Sequence, residues 1–170
     1  MKSNVMRLSL LLTSVAAVLI VASPAAGDRA GQAATGSGQF EVTTTTGATG
    51  LRTFAFEASG VNDGGATGQA QVDNRASGQR LHIRIDCLNI IGNIAVMSGT
   101  LMEAAGTGIA VGDAAIFAAQ DNGEGADATA DRVTRTFENT GLVCTDITPA
   151  NVGLYTFELN DIQGGNVQIH

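Results

Sequence analysis

The sequence predicts an all-β protein: a single antiparallel β-sandwich or barrel of about eight to ten short strands that follows an N-terminal signal-peptide helix. Short segments alternate apolar and polar residues, and turns rich in Gly, Asn and Asp separate them about every 10 to 15 residues. No segment after the signal has helical periodicity. Aromatic residues make up only 4% of the chain, so small aliphatic residues must build the core, which favours thin β layers over packed helices.

The clearest predicted element is a β-hairpin over residues 79–102. Apolar and polar residues alternate from Leu81 to Cys87, which is the period of a strand with one face in a core, and the alternation places both of these residues on that face. Gly92 and Asn93 then supply the turn, because both tolerate a positive φ. The alternation resumes directly after the turn, so two paired antiparallel strands are expected.

The other predicted strands are shorter. They lie at residues 37–42, 51–58, 67–73, 114–120, 132–137, 154–159 and 166–170. The strand at 67–73 is polar at nearly every position, which indicates a sheet edge. The alanines of 114–120 would allow a helix, but flanking glycines leave room for only about two turns, so we expect a strand. Residues 145–151 contain Pro149 and form a loop or a single helical turn.

The first 27 residues have the pattern of a secretory signal peptide. Lys2 and Arg7 make a basic region, residues 8–22 are apolar, and 23–27 are small residues followed by no cysteine. The apolar run of about 15 residues is shorter than the roughly 20 that a membrane-spanning helix needs. We therefore expect residues 1–27 to be removed and the mature protein to be secreted and extracellular.

The mature chain is predicted to hold one domain. Residues 28–36 are rich in Ala and Gly without periodicity and are expected to be a flexible leader. Residues 37–170 are expected to form the antiparallel β domain, because a mature chain of about 140 residues suits a single core.

The charge of the mature chain excludes several partners. Lys2 and Arg7 leave with the signal, so nine basic residues fall to seven against sixteen acidic ones, and the net charge becomes −9. An acidic surface without lysine repels phosphate backbones and anionic headgroups, so neither nucleic acid nor membrane is an expected partner. The absence of lysine also excludes Schiff-base and P-loop chemistry. An extracellular ligand or surface of unspecified identity remains.

Cys87 and Cys144 are the two cysteines of the chain, so a single intramolecular disulfide is available to them. The closed loop of about 58 residues would contribute about 4 kcal/mol in the chain-entropy model. Two free thiols or an intermolecular bridge are the alternatives. A metal site is less favoured, because no histidine or second cysteine lies at ligand spacing from either one.

A glycine-rich acidic loop is the candidate metal site. Its carboxylates belong to Asp121, Glu124, Asp127 and Asp131. Oxygen ligands of this kind suit Ca²⁺, and the glycines would let the loop fold round the ion. The spacing does not match an EF-hand, since Arg132 occupies the position of the bidentate glutamate. The simpler interpretation is a turn between strands with solvated acids, and no other cofactor is expected.

No catalytic constellation is recognisable, and we expect no enzyme. A glycosidase could draw a carboxylate pair from Asp86, Asp121, Glu124 or Asp161. Tyr155 and the absence of Trp give such an enzyme little aromatic surface for a sugar. A serine hydrolase would need His82 or His170 as its base, but His82 lies in mid-strand opposite the core face, His170 ends the chain, and no serine lies in a nucleophile elbow.

The mature chain resembles a group of secreted bacterial β domains of unknown function, related in pattern to the post-COAP-1 domain. The similarity is carried by residues 36–40, 54–56, 87–95 with 98–99, and 121–125 with 131–132. It implies an antiparallel β fold, an appended or stand-alone extracellular module, and a pairing of Cys87 with Cys144. It implies no catalytic residue.

The leading functional prediction is a secreted, non-enzymatic binding or structural module. One alternative is a calcium-dependent module that uses the acidic loop. Another is a carrier whose strands close into a barrel with an apolar pocket for a small ligand. An interior filled by apolar side chains would exclude the carrier, and the candidates to fill it are Phe54, Phe56, Ile83, Ile85 and Phe117.

Overall fold

The fold is described from a computed structural model and covers residues 31–60, 65–125, 127–155 and 158–170. The predicted signal peptide, residues 1–27, lies outside the described residues. None of the helices in the described ranges has the length and hydropathy that a membrane crossing requires.

Within the described ranges, ten antiparallel strands form one sheet, which confirms the predicted all-β class. The strands are β1 (Gln32–Thr43), β2 (Thr49–Gly60), β3 (Gly65–Asn74), β4 (Gln79–Ile91), β5 (Ile94–Ala105), β6 (Ala114–Gln120), β7 (Arg132–Val133), β8 (Phe137–Glu138), β9 (Asn160–Asp161) and β10 (Gly165–Ile169). Their order in the sheet is β10-β1-β2-β3-β4-β5-β6-β7-β9, and β8 pairs with β6. The predicted hairpin is β4 and β5, with its turn at Gly92 and Asn93.

The main core lies on the inner face of this sheet. The Phe56 ring on β2 is 5.7 Å from the Phe117 ring on β6, although three strands separate β2 from β6 in the sheet order. Two rings at this spacing pack edge to face and bury a large apolar area. The sheet therefore curls until the inner faces of distant strands meet. The fully buried residues of this core include Ala34, Phe40, Ile83, Ile85, Leu88, Met97, Leu101 and Val167.

The C-terminal segment connects the two ends of the sheet. β9 pairs with β7 at one end, and β10 pairs with β1 at the other. Between them, Ile162 N donates to Asp131 O at 2.9 Å and Gln163 N donates to Gln39 O at 2.7 Å. A few consecutive residues therefore bind the last strands of the sheet and the first.

A second apolar cluster lies on the outer face of β4, β5 and β6. Residues 139–155, which we call the strap, cover this face and contain a 3-10 helix (Cys144–Asp146) and the short helix α1 (Val152–Tyr155). Val96, Ile116 and Ala118 from the sheet pack against the strap. The disulfide between Cys87 and Cys144, with Cα atoms 5.7 Å apart, confirms the predicted bridge and fastens the strap to β4.

Two predictions about β4 and β3 were wrong. Cys87 does not share the face of Leu81, because the register of β4 and β5 shifts between Ile85 and Cys87 and the bulge turns Cys87 outward. The buried face then continues at Leu88. β3 is not an edge strand, since it lies between β2 and β4, where its alternate residues Ala70 and Val72 are buried.

Two predictions about the chain ends were also wrong. β1 begins at Gln32, inside the predicted leader at 28–36, because this stretch pairs with both β2 and β10. Its residue Gly36 lies against the Phe56 ring and Val167, and a Cβ there would come within 2.6 Å of the ring, so a larger residue would displace it. The predicted strand at 154–159 does not form as a unit: α1 starts at Val152, β9 contains only Asn160 and Asp161, and residues 156–157 lie outside the described residues.

Candidate functional site

An open depression of about 750 Å³ lies on the outer face of β2, β3, β4 and β5. The strand register places its side chains in two rows that cross all four strands. One row is Ala55, Gln71, His82 and Glu103, and the next is Thr53, Asp73, Arg80 and Ala105. Alanine at one end of each row leaves space, while the other residues surround that space with polar groups.

The polar rows follow from the alternation of β4. Because Leu81 and Ile83 point into the core, Arg80 and His82 must point outward. Arg80 Nε lies 3.1 Å from Asp73 Oδ2, and both side chains are exposed. Such an exposed ion pair contributes at most about 1 kcal/mol to stability, so these side chains are not needed to hold the fold together.

The depression offers both donors and acceptors. His82 Nε2 and Gln69 Oε1 are 3.2 Å apart, and Glu103 lies exposed opposite His82 on β5. Gln71 adds an exposed amide, which can donate and accept. The two carboxylates of Asp73 and Glu103 face one guanidinium, that of Arg80, so the depression does not attract an anion. The chemistry available is therefore hydrogen bonding to a polar ligand of little net charge.

The four carboxylates of the predicted calcium site do not converge. Asp131 is buried, and its two oxygens accept backbone N–H groups from Asn122 at 2.8 Å and Val167 at 2.7 Å. Asp121 likewise accepts from the backbone of Gly123 at 2.8 Å and Ile169 at 3.1 Å. Both aspartates therefore bind the chain itself.

The remaining two acids of that loop lie elsewhere. Glu124 Oε1 accepts from Asn166 Nδ2 at 2.7 Å, and Asp127 is exposed. Within the described ranges, no three Asp, Glu, His or Cys side chains form a group that could hold a metal ion. The acidic loop acts instead on β10. Its carboxylates accept the N–H groups of Val167 and Ile169. Along β10 these residues alternate with those bonded to β1, so their N–H groups point away from β1.

The candidate catalytic residues are also dispersed over the molecule. Asp86 is exposed on β4, whereas Asp161 forms an ion pair with Arg132 at 3.1 Å. His170 N donates to Ala33 O at 2.8 Å, and its carbonyl accepts from Ala33 N at 2.9 Å, so the last residue extends the pairing of β10 with β1.

Arg52 is a buried cation that the sequence analysis did not single out. It points into the core from β2, with 4% of its surface exposed, and Nη2 donates to Thr136 Oγ1 at 2.8 Å. Burial lowers the pKa of Arg52 to about 10, partly offset by the charge of Glu138. Burial likewise raises the pKa of Glu138, against the effect of Arg52. The sequence did carry a signal for this burial. Arg52 has the same phase as Phe54 in the alternation of β2, so both side chains point into the core.

The comparisons with known proteins returned no match to a family model, a curated protein or a solved structure. The similarity to the post-COAP-1 group therefore stays a prediction. The described residues define an all-β antiparallel domain of one sheet.

Proposed function

We propose that this protein is a secreted, non-enzymatic binding module that engages an uncharged, hydroxyl-rich ligand, such as a neutral glycan, in the depression on β2–β5. The observation that carries the proposal is the pair of polar rows across four strands. These rows line one continuous depression of about 750 Å³, on a face of the sheet whose side chains do not pack in the core.

The chemistry of the rows favours hydroxyl groups as partners. A sugar hydroxyl both donates and accepts, and so do the amide of Gln71 and the ring of His82. Glu103 accepts and Arg80 donates. An anionic ligand would meet a chain of net charge −7 even before the signal is removed. An apolar ligand would leave the polar groups of both rows without partners.

An extracellular location agrees with two features. The N-terminal sequence has the pattern of a signal peptide, and a disulfide of this kind persists in oxidising compartments. The bridge holds the strap on the sheet and so keeps the second apolar cluster covered. A module stabilised in this way suits an environment without chaperones.

We further infer that the curled sheet forms a barrel whose two ends are bridged by the C-terminal segment rather than by strand pairing. The supports are the Phe56–Phe117 contact across the interior and the hydrogen bonds of Ile162 and Gln163 to opposite ends of the sheet. A cavity next to Phe54 and Phe117 has a volume of only about 10 Å³. This packing argues against the carrier alternative, and the dispersed acids of the 121–131 loop argue against the calcium alternative.

Isothermal titration with soluble neutral polysaccharides, a β-glucan and a mannan, tests the proposal, with a polyuronate as the anionic comparator. Binding to a neutral polymer is expected. Glu103→Ala should weaken it about 10- to 100-fold, which is the value of a hydrogen bond to a charged group. Ala55→Arg should abolish it by filling the depression.

Glu41→Ala is the matched control, since Glu41 is an exposed strand glutamate on β1 outside the depression. Equal losses in Glu41→Ala and Glu103→Ala would contradict the proposed site. Binding of the polyuronate alone would contradict the proposed ligand class.

A further inference from the structure

The depression on β2–β5 has a floor of sheet backbone and two walls of polar side chains. Three consecutive residues of each strand line it, namely 53–55 of β2, 71–73 of β3, 80–82 of β4 and 103–105 of β5. The outer two of each three belong to the two polar rows. The middle residues Phe54, Val72 and Leu81 are buried in the main core, and Ala104 packs against it. Their side chains point inward, so the backbone is the floor and the polar rows are the walls.

The depression is longer across the strands than along them. Neighbouring strands of a sheet lie about 4.8 Å apart, so the distance from β2 to β5 across β3 and β4 is about 14 Å. The two walls are two residues apart on every strand, which corresponds to about 7 Å between their Cα atoms. An extended ligand therefore fits with its long axis perpendicular to the strands.

Neither end of the depression is closed. At the β2 end, the next strand is β1, which presents the small, exposed residue Ser37 beside Ala55. At the β5 end, β6 pairs with β5 only as far as Thr100. None of the described strands therefore pairs with residues 103–105 on the side away from β4. A ligand that lies in the depression can continue past both of its ends.

Each of the four strands contributes a hydrogen-bonding side chain to the walls. Thr53 lies on β2, Gln71 on β3, His82 on β4 and Glu103 on β5. One net hydrogen bond changes an affinity by only about 2- to 10-fold. A ligand as small as one sugar reaches one or two of these side chains, whereas a ligand that spans all four strands reaches every one. Affinity in this depression should therefore accumulate with the length of the ligand.

We propose that the depression binds an internal segment of a linear neutral polysaccharide, which lies across β2–β5 with about one sugar unit on each strand. The strand spacing of about 4.8 Å is close to the length of one pyranose unit in an extended chain, so successive units meet successive strands. The open ends let the polymer enter on one side and leave on the other. This inference rests on the proposed function and adds the direction and the length of the bound segment.

Isothermal titration with neutral oligosaccharides of one to six units, derived from the β-glucan and the mannan, tests the length of the segment. Affinity should rise about 2- to 10-fold with each added unit up to about four units, and little beyond. The intact polymer should bind several protein molecules per chain, because a chain has many internal segments and only two ends. A monosaccharide that binds as tightly as the hexasaccharide, or a polymer that binds only at its chain ends, would overturn this inference and leave the proposed function standing. No binding of any neutral polymer or oligosaccharide would overturn both.

Thr53→Val and Arg84→Met test the direction of the segment. Thr53 is at the β2 end of the depression, whereas Arg84 is an exposed residue further along β4 and outside it. Thr53→Val keeps the shape of the side chain and removes its hydroxyl, so it should weaken binding of the tetrasaccharide about 2- to 10-fold. Arg84→Met is the control and should keep the parent affinity. A loss of affinity in Arg84→Met with none in Thr53→Val would place the ligand along β4 and overturn the proposed direction.

Discussion

The carboxylate of Asp131 accepts the backbone N–H of Val167 at 2.7 Å, and this bond joins the loop before β7 to the strand that lies beside β1. The N–H belongs to the side of β10 that faces away from β1, where a further strand would otherwise pair. An exposed strand edge of this kind is a template for association with other chains. Asp121 meets the N–H of Ile169 in the same way. The acidic loop therefore closes the edge of the sheet.

Asp131→Asn should lower the free energy of unfolding by about 1 to 3 kcal/mol. Each carboxylate oxygen of Asp131 accepts one backbone N–H group, whereas the amide of asparagine has only one oxygen, so one of the two N–H groups would lose its acceptor. Urea denaturation monitored by circular dichroism measures the change. Asp127→Asn, at an exposed acid of the same loop, should stay within about 0.5 kcal/mol of the parent chain. Equal effects of the two substitutions would show that the Asp131 bonds do not support the closure.

The bonds of these carboxylates to backbone N–H groups predict how the melting temperature responds to calcium. Because Asp121 and Asp131 are committed to backbone N–H groups, millimolar Ca²⁺ should leave Tm unchanged, and EDTA should do the same. Differential scanning calorimetry is the measurement, with Mg²⁺ as the control cation. A rise in Tm that EDTA reverses would revive the calcium-dependent module.

Removal of the disulfide should destabilise the protein mainly through the strap. The double variant Cys87→Ala, Cys144→Ala should lose about 4 kcal/mol in the chain-entropy model for a loop of about 58 residues. Hydrogen exchange should increase most in residues 139–155, where Asn89 Nδ2 still holds Ile147 O at 2.7 Å. An increase spread evenly over all strands would contradict the account of the strap as a covering element.

Gly38→Ala should destabilise the join between β1 and the C-terminal segment by about 1 to 3 kcal/mol. A Cβ at Gly38 would lie 2.5 Å from Ile162 Cγ2 and 2.7 Å from Gly164 O, so either the backbone of β1 or the segment that leads into β10 must move. Gly65→Ala is the control, because a Cβ there meets nothing within 4 Å. Guanidinium denaturation compares the two, and equal midpoints would argue against tight packing at this join.

Glu138 should make stability depend on pH in a defined direction. Its pKa in the folded state is raised above the ordinary value of 4.5, chiefly by burial. A raised pKa means that the folded chain holds this proton more tightly than the unfolded chain does. The stability that this contributes is present below pH 4.5 and is lost as the pH rises through the pKa of the folded state. Glu138→Gln should remove this part of the pH dependence in urea titrations from pH 3 to 8. Glu41→Gln, at an exposed glutamate, is the control and should leave this pH dependence unchanged. If the free energy of unfolding had the same slope against pH in the parent chain and in Glu138→Gln, the burial effect would be contradicted.

The sequence predicted the parts of the fold that depend on local pattern. The β4–β5 hairpin, the turn at Gly92 and the strand β6 follow from alternation and turn chemistry within a few residues. The position of Cys87 could not be predicted, because a single-residue bulge reverses the phase of every later side chain. The sequence of β3 indicates an edge strand because nearly every position is polar, and its two small buried residues, Ala70 and Val72, do not mark an apolar face by themselves.

The site was less accessible from sequence than the fold. The density of carboxylates at Asp121, Glu124, Asp127 and Asp131 on a glycine-rich loop suggested metal ligands. The structure shows instead that Asp131 and Asp121 accept backbone N–H groups of β10, which lies more than thirty residues further along the chain. The depression depends on the register of four strands, which places His82 between Gln71 and Glu103. The pairing of residues this far apart in sequence is set by the whole sheet, so no single stretch of sequence encodes the depression.

Chemical-shift mapping with ¹⁵N-labelled protein and a neutral oligosaccharide tests the central claim most directly. Binding in the depression should shift the resonances of Gln71, His82 and Glu103 and of their neighbours on β2–β5, and it should leave those of the 121–131 loop and the strap unchanged. Shifts confined to that loop or to the strap, or none at all with any neutral oligosaccharide at millimolar concentration, would contradict it.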